Sequence, residues 1–200
     1  RLWVGISDGL PKLVVHRLLQ PIITEPRLRL LCLEGQFNEL LGNLALHKLD
    51  MVISDRAAPS NPNIKLYSHA LGTSTIAWYG TKALLAKSKK PFPHNLAELP
   101  VLLPTAHTAI RDRLEHWFEQ HHIKPHLVGE FEDSALLKTF GASGMGVFPA
   151  AESVQEELIS HYAVERMGRS AGVTEHFYAI GTEKRVQHPL VQRLLHPTPT

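Results

Sequence analysis

Two hundred residues, 44% of them apolar and 20% charged, suffice for one or two α/β domains with a full core and exclude a low-complexity chain. With 21 basic and 19 acidic side chains the net charge is only +2, which excludes the basic face of a nucleic-acid-binding domain. The nearest cluster, Lys82 with Lys87, Lys89 and Lys90, reads as a solvated loop, and no apolar run approaches the ~18 residues of a membrane span.

The chain begins directly with a strand-like Leu2–Ile6, without a basic leader, which predicts an excised piece lacking an upstream domain. Ser7-Asp8-Gly9 turns into a helix, with Pro11 in its first turn and Leu13, Val14, Leu18 and Ile22 at helical spacing. A second strand is predicted over Leu28–Leu33. It holds Cys32, the single cysteine, read as a buried structural thiol; one cysteine allows no intrachain disulfide and points to a reducing compartment, the cytoplasm. Glu34-Gly35-Gln36 opens a helix with Phe37, Leu40, Leu41 and Leu44 on its apolar side, and Asp50–Ser54 is a third, wholly apolar-centred strand.

Strands are predicted at Ile64–Ala70 and Thr75–Gly80, followed by a Pro-rich break at Pro91-Phe92-Pro93. The alternation then restarts: strand Val101–Leu103, turn Thr105–Thr108, helix Ala109–His122, strand His126–Phe131, helix Asp133–Ala142, strand Gly146–Phe148 and helix Ala151–Ser160. Strand pieces at Ala163–Met167 and Thr174–Gly181 and a helix at Pro189–Leu195 complete the series. A repeated strand–helix alternation argues for an α/β fold.

Candidate binding groups gather at the strand-to-helix turns. Ser7, Asp8 and Gly9 offer N–H groups to a ligand, or Ser7 or Asp8 simply caps the helix. Thr105, Ala106, His107 and Thr108 repeat that geometry, with Arg111 either grasping an anion or pairing with Glu115 one turn on. Glu130, Glu132 and Asp133 beside Ser134 suit a hard cation, or form a solvated turn with Asp133 as cap. The thirteen histidines contain no zinc spacing, and His107 alone falls on a pocket turn, where it could respond to pH. Gly141, Gly144 and Gly146 follow a helix in the order G-x-x-G-x-G, which rejects a dinucleotide loop; Gly144 suits a helix C-cap instead. Met145 spoils a serine elbow at Ser143. No catalytic machinery, metal site or cofactor is predicted.

The order of these elements resembles the effector-binding domain of LysR-type transcriptional regulators across essentially the whole chain. The resemblance rests on Leu2-Trp3-Val4-Gly5-Ile6-Ser7, Glu34-Gly35-Gln36-Phe37, His47-Lys48-Leu49-Asp50-Met51, Leu102-Leu103-Pro104-Thr105 and Gly129–Pro149. Gly129–Leu136, His47–Met51 and Val186-Gln187-His188-Pro189 are similar, more narrowly, to the NhaR branch, regulators of sodium/proton antiporter genes. Thr105-Ala106-His107 departs from the family's usual glycines and serine. The resemblance implies a two-lobed, periplasmic-binding-protein type 2 fold of two Rossmann-like subdomains, residues 1–80 plus 168–200 and residues 81–167, with a cleft between them. It implies an effector site at Ser7, Asp8, Gly9, Glu34, Gln36, Phe37, Thr105, Ala106, His107, Thr108, Phe131, Glu132, Gly146 and Val147. The effector would be a small carboxylate or, from the branch, sodium or protons. It further implies a homodimer or higher homo-oligomer, for which Val14, Val15 and Leu18 are the expected surface. DNA binding would occur only through an N-terminal winged helix-turn-helix absent from this chain. The alternative is a stand-alone solute-binding protein for a small carboxylate.

Overall fold

The computed structural model describes residues 1–183 and 188–195; Val186 and Gln187 of the quoted motif lie outside them. The chain forms two compact units: Arg1–Leu10, Val14–Thr73 and the chain from His176 make the first, Pro11–Leu13 and Ser74–Glu175 the second.

In the first unit β1 (Leu2–Ser7) lies between β2 (Leu30–Gly35) and β3 (Met51–Ser54), parallel to both. Parallel neighbours require crossovers, here α1 (Lys12–Ile23) and α2 (Phe37–Ala45). β1 is buried on both faces, and Gly5 is there because a Cβ would come within 2.8 Å of Leu49 Cδ1. α2 packs Leu40, Leu41 and Leu44 against Leu49, Val52 and Ile180, each such burial contributing roughly 1.5–3 kcal/mol. The helix ends in a Schellman motif: Lys48 N–H donates to Asn43 O and His47 N–H to Leu44 O, with His47 left-handed at φ 59°. The C-terminal part of β8 (Glu165–Gly181) runs antiparallel to β3, and α7 spans Pro189–Leu195.

In the second unit the C-terminal part of β4 (Tyr67–Gly80) pairs antiparallel with β7 (Phe148–Ala151). β5 (Pro100–Pro104) pairs in parallel with β6 (His126–Phe131), with α4 (Ala109–Gln120) as the crossover. α3 (Lys82–Leu85), α5 (Ser134–Ala142) and α6 (Gln155–Tyr162) complete it. Trp78, Leu96, Leu114, Trp117 and Phe118 form one core, and Tyr79, Leu102, Leu137, Phe148 and Leu158 another.

Several expectations change. The two strands expected on either side of Ala70 to Thr75 are the single strand β4, and the two late pieces are the single strand β8. Their polar and glycine-containing middles look like turns in isolation, but strand pairing carries the backbone through them. The strand expected at Gly146 begins at Phe148, because Val147 exchanges backbone bonds with Pro100 and Leu102 of β5 instead. Cys32 is exposed, not buried: β2 is an edge strand with most of its side chains in solvent. Val14 is buried in the core, so it cannot belong to an exposed association face; Val15 and Leu18 are half-buried. The four clustered lysines are exposed as expected, although Lys82 opens the unforeseen α3, capped by Thr81 Oγ1 accepting from Leu84 N–H.

Candidate functional site

In each unit the sequence-derived groups gather at the C-terminal ends of adjacent parallel strands, the position where open α/β sheets hold ligands. In the first unit Ser7 pairs with Gly35 in register, and Asp8 N–H donates to Gly35 O at 2.8 Å. Ser7 is buried, Asp8 exposed, and Gly9 takes φ 89°, a conformation that glycine adopts without strain. Across the register Glu34 and Gln36 are exposed, Gln36 being the uncapped residue before α2. Phe37 opens the helix under the Arg56 guanidinium, 5.6 Å from its ring centre.

The second unit repeats the device with more of its groups already engaged. Thr105 N–H donates to Phe131 O at 3.0 Å, tying the two strand ends together. Thr108 turns its hydroxyl back to Thr105 O at 2.9 Å and so leaves the start of α4 without a side-chain cap. Arg111, 10% exposed, donates to Pro104 O (2.8 Å), Glu130 (2.7 Å) and Glu115 (2.9 Å). Burial alone would lower its pKa, but the bonds from Glu130 and then Glu115 outweigh that and raise it. Of its two readings the pairing with Glu115 holds, extended by Glu130: the arginine braces the turn and is not a vacant anion clamp.

The acidic turn resolves in the same way. Asp133 caps α5, Oδ1 accepting from Ala135 N–H at 2.8 Å, while Oδ2 lies 3.8 Å from Lys12 Nζ. Glu132 pairs with His107 at 3.4 Å, both largely exposed. Among the described residues no cluster of His, Cys, Asp and Glu could hold a metal ion. Ala106 is exposed, Phe131 stacks on Phe140 (5.1 Å), and Val147 is fully buried behind the strand ends. Gly146 admits no side chain, since a Cβ would lie 2.9 Å from Leu102 Cγ. Gly144 takes φ 88° in a Schellman motif, its N–H donating to Gly141 O and that of Met145 to Phe140 O.

What remains unspent is a pair of hydroxyls. Thr105 Oγ1, after β5, and Ser134 Oγ, after β6, are each buried without a hydrogen-bond partner. An unpaired buried hydroxyl costs about 1–3 kcal/mol, a cost that a ligand atom or water can relieve.

Sequence reasoning missed two features. Lys138 is 3% exposed on the inner face of α5, and burial pushes its pKa down to about 8 against the favourable charges of Glu175 and Asp133. Its signal was helical spacing with the inward Leu137 and Gly141, where a lysine is out of place. The second is a cavity of about 210 Å³ in the first unit, lined by His47, Asp50, His69, Ile180, His188 and Val191 among others, none of them in the predicted site. Five separated segments build it, so no local pattern announces it.

Comparison with known proteins identifies the architecture. The model of the LysR substrate binding domain family matches residues 1–196. The transcriptional activator protein NhaR of Escherichia coli (strain K12) is 33% identical over 192 residues, covering 96% of this chain and 63% of NhaR, so the chain spans less than two thirds of that relative's length. CbnR, a LysR family transcriptional regulator of known crystal structure, superposes with a TM-score of 0.76 at 16% identity, over 97% of this chain and 67% of CbnR. The effector binding domain of QuiR in complex with shikimate gives 0.67 at 14% identity, over 96% and 91%.

Proposed function

The chain belongs to the LysR substrate-binding-domain family, with its type 2 periplasmic-binding-protein-like fold, and from that premise we propose that it senses a small effector for a transcriptional regulator. The observation that carries this reading is the pair of partnerless buried hydroxyls, Thr105 Oγ1 and Ser134 Oγ, at neighbouring strand ends. The effector residues proposed in the first unit are Ser7, Asp8, Gly9, Glu34, Gln36 and Phe37. Those in the second are Thr105, Ala106, His107, Thr108, Phe131 and Glu132, with Gly146 and Val147 as the packed wall behind.

Hydroxyl donors beside the uncapped start of α4 favour a small carboxylate, which QuiR's shikimate also contains. Sodium or protons, the other effectors the NhaR likeness brings, find less support, because Glu132 and Asp133 are already engaged. The module is cytoplasmic and not catalytic, and it acts on DNA through a winged helix-turn-helix elsewhere in the intact protein. It works as a homo-oligomer; the exposed Leu31 and Leu33 of edge strand β2 supply apolar surface for a second copy.

Thermal denaturation with acetate, pyruvate, succinate, citrate, shikimate and benzoate, and with NaCl against KCl, tests the reading. It expects a saturable rise in Tm with at least one carboxylate. A rise with NaCl but not KCl would replace the carboxylate by sodium, and no rise with any probe would overturn the effector site.

A further inference from the structure

Resting on the effector site proposed at the strand ends of the second unit, we propose that Lys138 is its specificity-determining cation, the group that admits a carboxylate and turns away a neutral molecule of the same shape. Lys138 is 3% exposed, yet among the described residues its ammonium has no hydrogen-bond or ion-pair partner. The charges that bear on it are Glu175 of β8, Asp133 at the α5 cap and Lys12 of α1. Asp133 is already engaged, Oδ1 by Ala135 N–H at 2.8 Å and Oδ2 by Lys12 Nζ at 3.8 Å. The attraction of Glu175 does not overcome burial, which still pushes the Lys138 pKa down to about 8. A buried ammonium without hydrogen bonds is costly, and an anion beside it removes that cost.

Helix geometry aims the amine. Ser134, Leu137, Lys138 and Gly141 recur at helical spacing along the inner face of α5, so Ser134 lies one turn before Lys138 on the same face. Long side chains on a helix lean back towards its N-terminus. Lys138 therefore reaches towards the first turn of α5, where Asp133 acts on it and where Ser134 Oγ is buried without a partner. Three residues before Ser134, Phe131 O accepts from Thr105 N–H at 3.0 Å, which brings Thr105 and its partnerless Oγ1 to the same strand ends. All three groups can donate: an ammonium has three donors and no acceptor, and each hydroxyl can turn its proton to a ligand. A carboxylate only accepts, and it carries the charge that the ammonium lacks. An amide of the same shape would leave that ammonium uncompensated.

A bound carboxylate raises the Lys138 pKa above its empty value of about 8, so affinity is full below pH 8 and declines as the pH rises through it. Isothermal titration of the chain with acetate, benzoate, succinate and shikimate, each beside its neutral amide, reads this out at pH 7 and pH 9. At least one carboxylate should bind at pH 7, about tenfold more weakly at pH 9, and its amide at least about tenfold more weakly at pH 7. Lys138→Met should bind that carboxylate about tenfold to a hundredfold more weakly at pH 7, with no change at pH 9. The parent alone gives a second readout: at pH 8.5, in two buffers of different ionisation enthalpy, each carboxylate bound should take up roughly half a proton or more. A carboxylate that binds Lys138→Met as tightly as the parent, or whose amide binds equally well, would overturn the role of Lys138 and leave the effector site standing. So would weaker binding to the variant without proton uptake by the parent, the result a purely structural lysine would give. Absence of binding by every carboxylate would overturn the effector site and this role with it.

Discussion

Lys138 offers a test of the second unit's packing that needs no ligand. It sits on α5 with 3% exposure, and the charges that bear on it are Glu175 of β8, Asp133 at the α5 cap and Lys12 at the start of α1. Burial dominates and lowers its pKa from 10.5 to about 8. The sign follows from proton counting. Between pH 8 and 10.5 the unfolded chain holds a proton on this lysine that the folded chain has released, so raising the pH favours the folded state. With the pKa moved from 10.5 to about 8, about 3 kcal/mol is the upper bound of that gain. Lys138→Met removes the titration and keeps an unbranched chain of similar length. Urea denaturation of both proteins at pH 7 and pH 10 gives the quantity to compare, the stability difference between them, in which other alkaline titrations cancel. The lysine protein should gain about 2–3 kcal/mol on the methionine protein over that interval. A difference that does not change with pH would show that Lys138 is solvated and that α5 does not pack as described.

Gly141→Ala drives a Cβ into the Phe148 ring, and overpacking of this kind costs about 1–3 kcal/mol; it should lower the urea midpoint, with Phe148→Leu restoring much of the loss. Arg111→Ala strands Glu130, Glu115 and the Pro104 carbonyl, and since both carboxylates are half-exposed the cost should be about 2 kcal/mol by thermal denaturation. An unchanged Tm would remove the arginine's bracing role. Leu33→Glu on edge strand β2 should shift sedimentation towards monomer without changing Tm, and an unaltered association state would move the homo-oligomer surface elsewhere.

The fold was legible wherever local pattern and global packing agree. Leu2–Ser7 and Met51–Ser54 are short apolar runs closed by turn residues, and α4 declares itself through Ile110, Leu114, Trp117 and Phe118 at helical spacing. Pattern fails where pairing decides. Nothing local in Tyr67–Gly80 or Glu165–Gly181 says that two strands are one, because strand continuity is a property of the neighbouring strand. Cys32 misled for the same reason, since an apolar run reads as buried until the sheet shows it to be an edge. At the candidate site, residue types marked the turns but not which groups were spent. Arg111 and Glu132 are engaged by tertiary partners, Glu130 and His107, which sequence does not show, whereas Asp133 takes the helix-cap role that sequence already offered. The hydroxyls of Thr105 and Ser134 look ordinary, and only the folded chain shows them without partners.

Thr105→Val tests the central claim most directly, because it exchanges one partnerless hydroxyl for a methyl group of the same shape. A purely structural hydroxyl would be missed, whereas an effector-binding one is a burden to the empty protein. Chemical denaturation of the ligand-free chain should show Thr105→Val as stable as the parent or up to about 1 kcal/mol more stable. Calorimetry with the carboxylate that raises the parent's Tm should show at least about tenfold weaker binding to the variant. A variant that is less stable when empty and binds that carboxylate as tightly as the parent would contradict the account.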